Sequence, residues 1–131
     1  MRTSLRIMKG MDMRILIVDD SKAMRMIVAR TLRQSGFGGA TIEEAATGAE
    51  ALKAITASEP DLVLCDWNMP EMNGLDLLKT LRANSCKVKF GFVTSEASTE
   101  MRDVALASGA LFLITKPFTA QTFEQTLRPI L

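Results

Sequence analysis

The sequence predicts an α/β domain: a doubly wound, five-stranded parallel sheet with five helices covering its two faces. Short runs rich in β-branched and aromatic residues recur along the chain, and longer amphipathic stretches separate them. The strand-like runs are nearly continuous in their apolar character, as in strands that are buried on both faces. Because parallel neighbours are joined by right-handed crossovers, this alternation predicts helices on either side of one sheet.

Each predicted strand precedes one of the predicted helices along the chain. Four are short and apolar, and the second is the weakest of the set. The five predicted strands are residues 15–18, 41–45, 62–65, 90–93 and 111–114.

The first predicted helix covers residues 22–34. Ile27, Val28 and Leu32 recur at helical spacing and predict its apolar face. Gly36 follows as a helix stop. Three basic residues of this stretch are available to face water: Arg25, Arg30 and Arg33.

The second helix is predicted from its cap and the third from its leucines. Thr47 and Glu50 have the spacing of a capping box, which predicts a helix that runs to about residue 57 and ends before Pro60. Residues 74–83 repeat the amphipathic pattern. The leucines at helical spacing in this segment are Leu75, Leu78 and Leu81.

The last two helices complete the alternation. Residues 99–108 form a weaker amphipathic helix that Gly109 stops. Thr119 is the predicted N-cap of a final helix that runs to the chain end, with Phe123 and Leu127 facing inward.

Composition limits the possible functions. The chain has 131 residues, 47% of them hydrophobic, and a net charge of +1, which indicates one soluble domain with a substantial core. Near-neutral charge gives no support to direct nucleic-acid binding, and the apolar runs are shorter than the roughly 20 residues that span a membrane. Cys65 and Cys86 have no histidine to accompany them, so we expect buried free thiols in a reducing cytoplasm.

Residues 1–12 differ from the rest of the chain. They include basic residues but neither a sustained apolar segment nor a small-residue cleavage pattern, so they do not resemble a signal peptide. We interpret them as a flexible N-terminal extension. The predicted domain spans residues 13–131.

Polar residues follow the predicted strands at the points where the strands end. Asp19 and Asp20 follow the first strand, Asp66 the third, Thr94 the fourth and Lys116 the fifth. The carboxyl ends of parallel strands share one edge of the sheet, where the functional groups of doubly wound folds gather. We therefore expect these residues to converge.

Three clustered carboxylates repel one another, and a divalent cation together with the Lys116 ammonium would relieve that repulsion. Oxygen ligands without histidine favour Mg²⁺ or Mn²⁺ over Zn²⁺. The chain has no glycine-rich phosphate loop, so a nucleotide is not the expected substrate. The economical prediction is that Asp66 accepts a phosphoryl group, while Lys116 and the Thr94 hydroxyl contact its oxygens.

These motifs together resemble the receiver domains of two-component response regulators, and among these the CheY-type chemotaxis regulators. The matching segments are VDDS around Asp19 and Asp20, DWNMPEMNGLDLLKTLR from Asp66, VTSEA around Thr94, and TKPFTA around Lys116. The resemblance covers residues 14–131. It implies the flavodoxin-like strand order 2-1-3-4-5.

The resemblance also implies roles for individual residues. Asp66 would take the phosphoryl group from a phosphohistidine of a sensor histidine kinase or from a small phosphodonor. Mg²⁺ would be held by the carboxylates of Asp20 and Asp66 and the main-chain oxygen of Asn68, with Asp19 acting through water. Asn68 and Glu96 occupy positions that tune self-dephosphorylation in this family, and the bond between Lys116 and Pro117 would be cis.

One position departs from the family pattern. Receiver switches couple the threonine, here Thr94, to an aromatic residue three positions before the lysine, and Leu113 occupies that place. Phe112 is one residue earlier, which points it to the opposite face of the strand. We expect the switch to use Thr94 with Leu113 packing or a backbone shift, acting on the fourth helix, fifth strand and fifth helix.

The resemblance implies how the chain would signal. No segment beyond the fifth helix suggests an attached output domain, so we expect a monomer that binds a partner protein. That partner would be a chemotaxis target such as a flagellar-motor switch component, or a relay protein. We expect no enzymatic activity beyond the chain's own phosphotransfer and dephosphorylation, and no membrane insertion.

Several alternatives remain. The chain could be an intermediate receiver of a phosphorelay, or a receiver-like interaction module that is never phosphorylated. A haloacid-dehalogenase type phosphatase would need a second carboxylate two residues after the nucleophile, where Asn68 lies. A flavin-binding domain would need a phosphate loop and aromatic ring partners, which the sequence lacks.

Overall fold

A computed structural model describes residues 13–131 and contains one five-stranded sheet. All neighbouring strands are parallel, and their order is β2-β1-β3-β4-β5. The strands are β1 (Arg14–Val18), β2 (Thr41–Ala45), β3 (Leu62–Cys65), β4 (Lys89–Thr94) and β5 (Phe112–Thr115). The predicted fold class and strand order are confirmed. The predicted extension, residues 1–12, lies outside the described residues.

Five α-helices connect or follow these strands. They are α1 (Lys22–Leu32), α2 (Gly48–Ala57), α3 (Gly74–Ala83), α4 (Thr99–Ala107) and α5 (Ala120–Leu127). Each begins after a side chain that accepts a hydrogen bond from a backbone N–H of the first turn, which satisfies a donor that the helix itself leaves free. The capping residues are Ser21, Thr47, Asn73, Ser98 and Thr119.

Several predicted boundaries were wrong by one or more residues. β1 begins at Arg14, β4 covers Lys89–Thr94, α1 ends at Leu32 and α4 ends at Ala107. β5 covers Phe112–Thr115 rather than 111–114, and Leu111 is exposed before it. The last helix ends at Leu127 instead of continuing to the chain end, because Pro129 has no N–H to donate to the carbonyl one turn earlier. After α1 the chain continues through a wider turn, Arg33–Phe37, in which Gly36 adopts a φ of 95°.

Part of the predicted inward face of α1 was also wrong. Val28 and Leu32 are buried, but Ile27 is 48% exposed. The buried face includes Arg25, whose side chain is only 14% exposed, although the arginine was expected to face water. The physical reason is helical spacing, because residues 25, 28, 29 and 32 share one stripe.

The third helix shows a similar shift. Leu77 is buried together with Leu78 and Leu81, whereas Leu75, the predicted inward residue, is only partly buried. The adjacent positions 77 and 78 both reach the sheet because the apolar stripe of a packed helix is wide enough to include them.

Two apolar cores lie on opposite faces of the sheet. One lies under α2, α3 and α4 and contains Phe90, Phe92 and Leu113. The other lies under α1 and α5, and Phe112 packs at its margin. Phe112 and Leu113 therefore point to opposite faces, as their one-residue offset predicts.

Neither a disulfide nor a membrane-spanning helix is part of the described fold. Cys65 and Cys86 are both free thiols, as expected, but only Cys65 is buried, and Cys86 is partly exposed. Within residues 13–131 no helix has the length and continuous apolar character that crossing a bilayer requires.

Candidate functional site

The predicted polar residues lie at the carboxyl edge of the sheet. Asp19 directly follows β1 and Asp66 directly follows β3, and these strands are neighbours. Thr94 is the last residue of β4, and Lys116 directly follows β5. The parallel register therefore delivers residues from distant parts of the sequence to one rim.

The three carboxylates form a compact cluster. One oxygen each of Asp19, Asp20 and Asp66 lies within 4.8 Å of the others. Asp19 and Asp66 are buried, with 4% and 9% of their surfaces exposed, whereas Asp20 is exposed. Two ligand groups thus lie under the surface, and a third faces solvent.

Lys116 contacts both buried carboxylates. Its Nζ lies 3.3 Å from Oδ2 of Asp19 and 3.6 Å from Oδ1 of Asp66. The lysine side chain is itself largely buried, at 16% exposed, so its charge is weakly screened by water. A single ammonium group does not balance three carboxylates, and the cluster keeps excess negative charge.

The pKa of the Asp66 carboxyl reflects its burial first and the neighbouring charges second. Burial raises this pKa above the ordinary value of 3.8, and the neighbouring charge of Asp19 raises it further. The Lys116 ammonium and the backbone N–H groups of Trp67 and Asn68 lower the pKa but do not outweigh burial. A divalent cation would stabilise the ionised form, and the hard oxygen donors fit Mg²⁺ or Mn²⁺.

The main chain of Asp66 is held on both sides. Its N–H donates to the carbonyl of Val18 at 2.8 Å, and its carbonyl accepts from the Cys65 thiol at 3.1 Å. Gly74 packs against the same carbonyl, and a Cβ at that position would collide with it. The nucleophile candidate therefore has a fixed backbone.

Cys65 is inert toward ionisation. Burial raises the pKa of its thiol well above the ordinary value of 9.0, and the charges of Asp66 and Asp19 raise it further. The thiol therefore acts as a neutral hydrogen-bond donor beneath the site.

Thr94 and Lys116 are linked through the backbone. The Lys116 N–H donates to the Thr94 carbonyl at 2.8 Å, and the buried Thr94 hydroxyl accepts a long hydrogen bond of 3.4 Å from the Glu96 N–H. The bond between Lys116 and Pro117 is cis, as predicted. The pairing of β4 with β5 therefore holds the two residues next to each other.

The remaining predicted residues lie around this cluster. Asn68 and Glu96 are exposed at the rim, and Asn68 contacts Asp66 through its backbone N–H. Leu113 is buried in the core under α2, α3 and α4, opposite Phe92 in the strand register. Their functional roles remain predictions.

The single tryptophan adjoins the site. Trp67 follows Asp66 directly and is half-buried, with its ring 4.7 Å from that of Phe92 at a tilt of 40°. Phe92 in turn meets Phe90 edge to face at 5.2 Å. Changes at Asp66 would therefore reach an intrinsic fluorophore.

Sequence reasoning missed three residues that support the site: Arg25, Cys65 and Gly74. Arg25 donates to the carbonyl of Asp19 at 2.7 Å, although its surroundings in sequence suggested a solvated arginine. Gly74 is the first residue of α3, and the helix lies so close to the Asp66 carbonyl here that there is no room for a side chain. A glycine at a helix start right after a strand-end motif was the available signal.

Comparison with known proteins gives consistent matches over nearly the whole domain. Residues 15–128 match the family model described as the response regulator receiver domain. The chain is 41% identical over 121 residues to chemotaxis protein CheY-3 of Vibrio cholerae, covering 91% of this chain and 92% of that protein. It is 38% identical over 122 residues to chemotaxis protein CheY1 of Helicobacter pylori, covering 91% and 97%.

Solved structures agree with this. The fold is similar to that of Vibrio cholerae chemotaxis protein CheY4, with a TM-score of 0.81, 34% identity, and coverage of 92% of this chain and 99% of that chain. It is also similar to a CheY-like receiver domain protein from Methanospirillum hungatei, with a TM-score of 0.77, 33% identity, and coverage of 90% and 92%. The chain therefore belongs to the family of response regulator receiver domains and is of the CheY type.

Proposed function

We propose that Asp66 is the phosphoacceptor of a two-component signalling switch. The observation that carries this proposal is the convergence of Asp66 with two further carboxylates and Lys116 at one edge of the sheet. The donor would be a phosphohistidine of a sensor histidine kinase or a small phosphodonor.

The chemistry is a transfer between two nucleophiles. An oxygen of the Asp66 carboxylate forms a bond to phosphorus while the phosphorus–nitrogen bond of the donor breaks, and the imidazole keeps that electron pair and takes up a proton. The Lys116 ammonium would pair with a phosphoryl oxygen, and its distance of 3.6 Å from Oδ1 of Asp66 supports that role. The Thr94 hydroxyl would donate to another oxygen.

The cluster fits a divalent cation, and we propose Mg²⁺ or Mn²⁺. Asp20 and Asp66 would hold it with the main-chain oxygen of Asn68, and Asp19 would act through water. When bound, the ion neutralises negative charge on the transferred group. Asp19 already accepts from the Ser21 N–H at 2.9 Å and contacts Lys116, which supports its indirect role.

The chain would signal by binding another protein rather than by acting on a further substrate. The relatives named above are chemotaxis proteins, which favours a chemotaxis or motility target such as a flagellar-motor switch component. We propose a cytoplasmic monomer. Its only catalysis would be its own phosphotransfer and dephosphorylation, with Asn68 and Glu96 at the rim tuning the second reaction.

The output signal would pass from Thr94 to the surface of α4, β5 and α5. Leu113 occupies the family's aromatic position and is buried, so we propose that its packing couples the β4–α4 loop to that surface. Leu113→Ala should weaken the beryllofluoride-induced change in amide exchange of α4. An unchanged response in that variant would count against the coupling.

Trp67 fluorescence tests the phosphoacceptor directly. Beryllofluoride, which mimics a bound phosphoryl group, should change the fluorescence of the native chain in the presence of Mg²⁺. Asp66→Asn should abolish the response, whereas Asp103→Asn on the exposed face of α4 should leave it intact. A native chain without a response, or an unchanged response in Asp66→Asn, would refute the assignment.

A further inference from the structure

Arg25 connects two parts of the fold next to the acidic cluster. Its Nη1 donates to the main-chain carbonyl of Asp19 at 2.7 Å, and its Nε donates to Oε1 of Glu44 at 2.8 Å. The guanidinium is planar and presents its donors in a fixed fork, so one side chain satisfies both acceptors at defined angles. Its side chain is 14% exposed, which makes the arrangement well shielded for an arginine.

The bridge fixes the peptide that carries the acid pair. The N–H of Asp19 donates to the carbonyl of Ala45 on β2 at 3.2 Å, while the carbonyl of Asp19 accepts from Arg25. Glu44, which holds the other side of the guanidinium, is also on β2. The main chain of Asp19 is therefore tied to β2 twice, once directly and once through Arg25.

This anchoring restricts the directions in which Asp20 can project. The carbonyl of Asp19 and the N–H of Asp20 belong to one planar peptide unit, so holding the carbonyl sets the plane from which the Asp20 side chain leaves. Asp20 is the exposed member of the cluster and follows β1 in a turn. Residues that hydrogen-bond the frame around metal ligands commonly set ligand orientation and metal affinity.

We propose that Arg25, held by Glu44, is a positioning residue that orients the Asp19–Asp20 turn for binding the divalent cation. The inference rests on the proposed function, because it concerns the cation at the same site. Arg25 does not contact the transferred group. It acts through the main chain of Asp19.

Because Arg25 is positively charged, a positioning role and a purely electrostatic role predict opposite changes in cation affinity when the residue is replaced. A positive group beside an acidic cluster repels a cation, so an arginine that acted only through its charge would weaken cation binding. Removing it would then tighten binding. A positioning role predicts weaker binding instead, because without the hydrogen bonds of Arg25 the Asp19–Asp20 turn is no longer held in one orientation.

The test measures Mg²⁺ affinity from the quenching or enhancement of Trp67 fluorescence in the absence of any phosphodonor. Arg25→Gln should raise the dissociation constant roughly tenfold, although it removes a positive charge. Arg25→Lys should also weaken binding, because an ammonium keeps the charge but cannot reproduce the two-way fork. Glu44→Gln, a milder change, should give a smaller loss in the same direction.

A matched control is available at the other end of the sheet. Arg14 on β1 also bridges to a β2 glutamate, with its Nη2 2.8 Å from Oε1 of Glu43, but it lies away from the acidic cluster. Arg14→Gln should lower resistance to urea and leave Mg²⁺ affinity unchanged. Urea unfolding of every variant separates loss of fold from loss of affinity.

Two results would overturn the inference. If folded Arg25→Gln or Glu44→Gln binds Mg²⁺ as tightly as the native chain, or more tightly, Arg25 is not a positioning residue. If the native chain itself shows no Mg²⁺ binding, the proposed function fails and the inference fails with it. Binding by the native chain with unchanged variants removes this inference alone.

Discussion

Asp66 carries its charge in surroundings that only partly accommodate it. Burial and the carboxylate of Asp19 favour the protonated form, while Lys116 and two backbone N–H groups favour the ionised form. Burial is the largest influence, and the pKa of the carboxyl is raised. A group whose pKa is raised on folding is more stable in the folded chain when protonated, so its ionised form at neutral pH destabilises the fold.

The ionised Asp66 carboxylate should therefore lower the unfolding free energy of the native chain at neutral pH. Asp66→Asn should be more resistant to urea than the native chain at neutral pH in a metal chelator, because the amide removes a poorly solvated charge. The difference should shrink as the pH falls toward the ordinary aspartate pKa of 3.8, below which both folded and unfolded chains carry the proton. Mg²⁺ should stabilise the native chain and leave Asp66→Asn nearly unaffected.

The control for this prediction is Asp103→Asn on the exposed side of α4, which should change the unfolding free energy by less than about 0.5 kcal/mol. A less stable Asp66→Asn variant at neutral pH without metal would contradict the electrostatic account. It would mean that Lys116 and the backbone donors outweigh burial.

Residue positions at the site were predictable where strand ends define them. Asp19, Asp66 and Lys116 directly follow strands, and the rule for parallel sheets places them together. Arg25 was not predictable in this way. Its burial depends on which side of α1 packs against the sheet. The apolar pattern included Ile27, which is exposed, and so predicted a buried face that is rotated away from Arg25.

At the scale of elements, the junction between β3 and α3 shapes the site. Asp66 directly follows the strand, and the chain returns so that Gly74, the first residue of α3, donates from its N–H to the carbonyl of Trp67 at 2.8 Å. Gly74 also packs on the carbonyl of Asp66 and on the ring of Phe92. The helix start is therefore in direct contact with the backbone that presents the phosphoacceptor candidate.

A side chain at residue 74 should disturb this junction. Gly74→Ala places a methyl group against the main chain of Asp66 and within 2.8 Å of Phe92, where backbone has little freedom to move. We expect a loss of about 1–3 kcal/mol in unfolding free energy, measured by urea denaturation, together with a weaker Trp67 response to beryllofluoride.

The matched control is Gly38→Ala. Gly38 has a φ of −64°, and the nearest atom to an added Cβ is 3.8 Å away. This variant should be neutral or slightly stabilised, because alanine restricts the unfolded chain more than glycine does. Equal stability of Gly74→Ala and the native chain would show that the junction yields easily.

Element types were predicted more reliably than element ends. Every predicted strand and helix is present, and Thr47 and Thr119 cap helices as expected. The ends of elements depend on single residues and on strand pairing, which the periodicity of apolar residues does not reveal. Pro129 stops α5 early, and pairing with β4 rather than apolar character decides that β5 includes Thr115 but not Leu111.

At the scale of the whole molecule, the parallel sheet explains why distant segments form one site. β1 and β3 are neighbours, and β4 and β5 follow in order, so the carboxyl ends of four strands line one rim. The alternation of strands and helices predicted this architecture, whereas the strand order came from resemblance to a family. Alternation alone permits several orders, because handedness restricts each crossover but not the sequence of neighbours.

The central claim is that this rim makes Asp66 a covalent acceptor of phosphate. Its most direct measurement is mass spectrometry of the chain after incubation with Mg²⁺ and acetyl phosphate, followed by borohydride reduction and peptide mapping to locate the modified residue. The account predicts one phosphoryl group per chain, located at Asp66, and none in Asp66→Asn or without a divalent cation. No modification of the native chain, or modification at another residue with Asp66 unchanged, would contradict it.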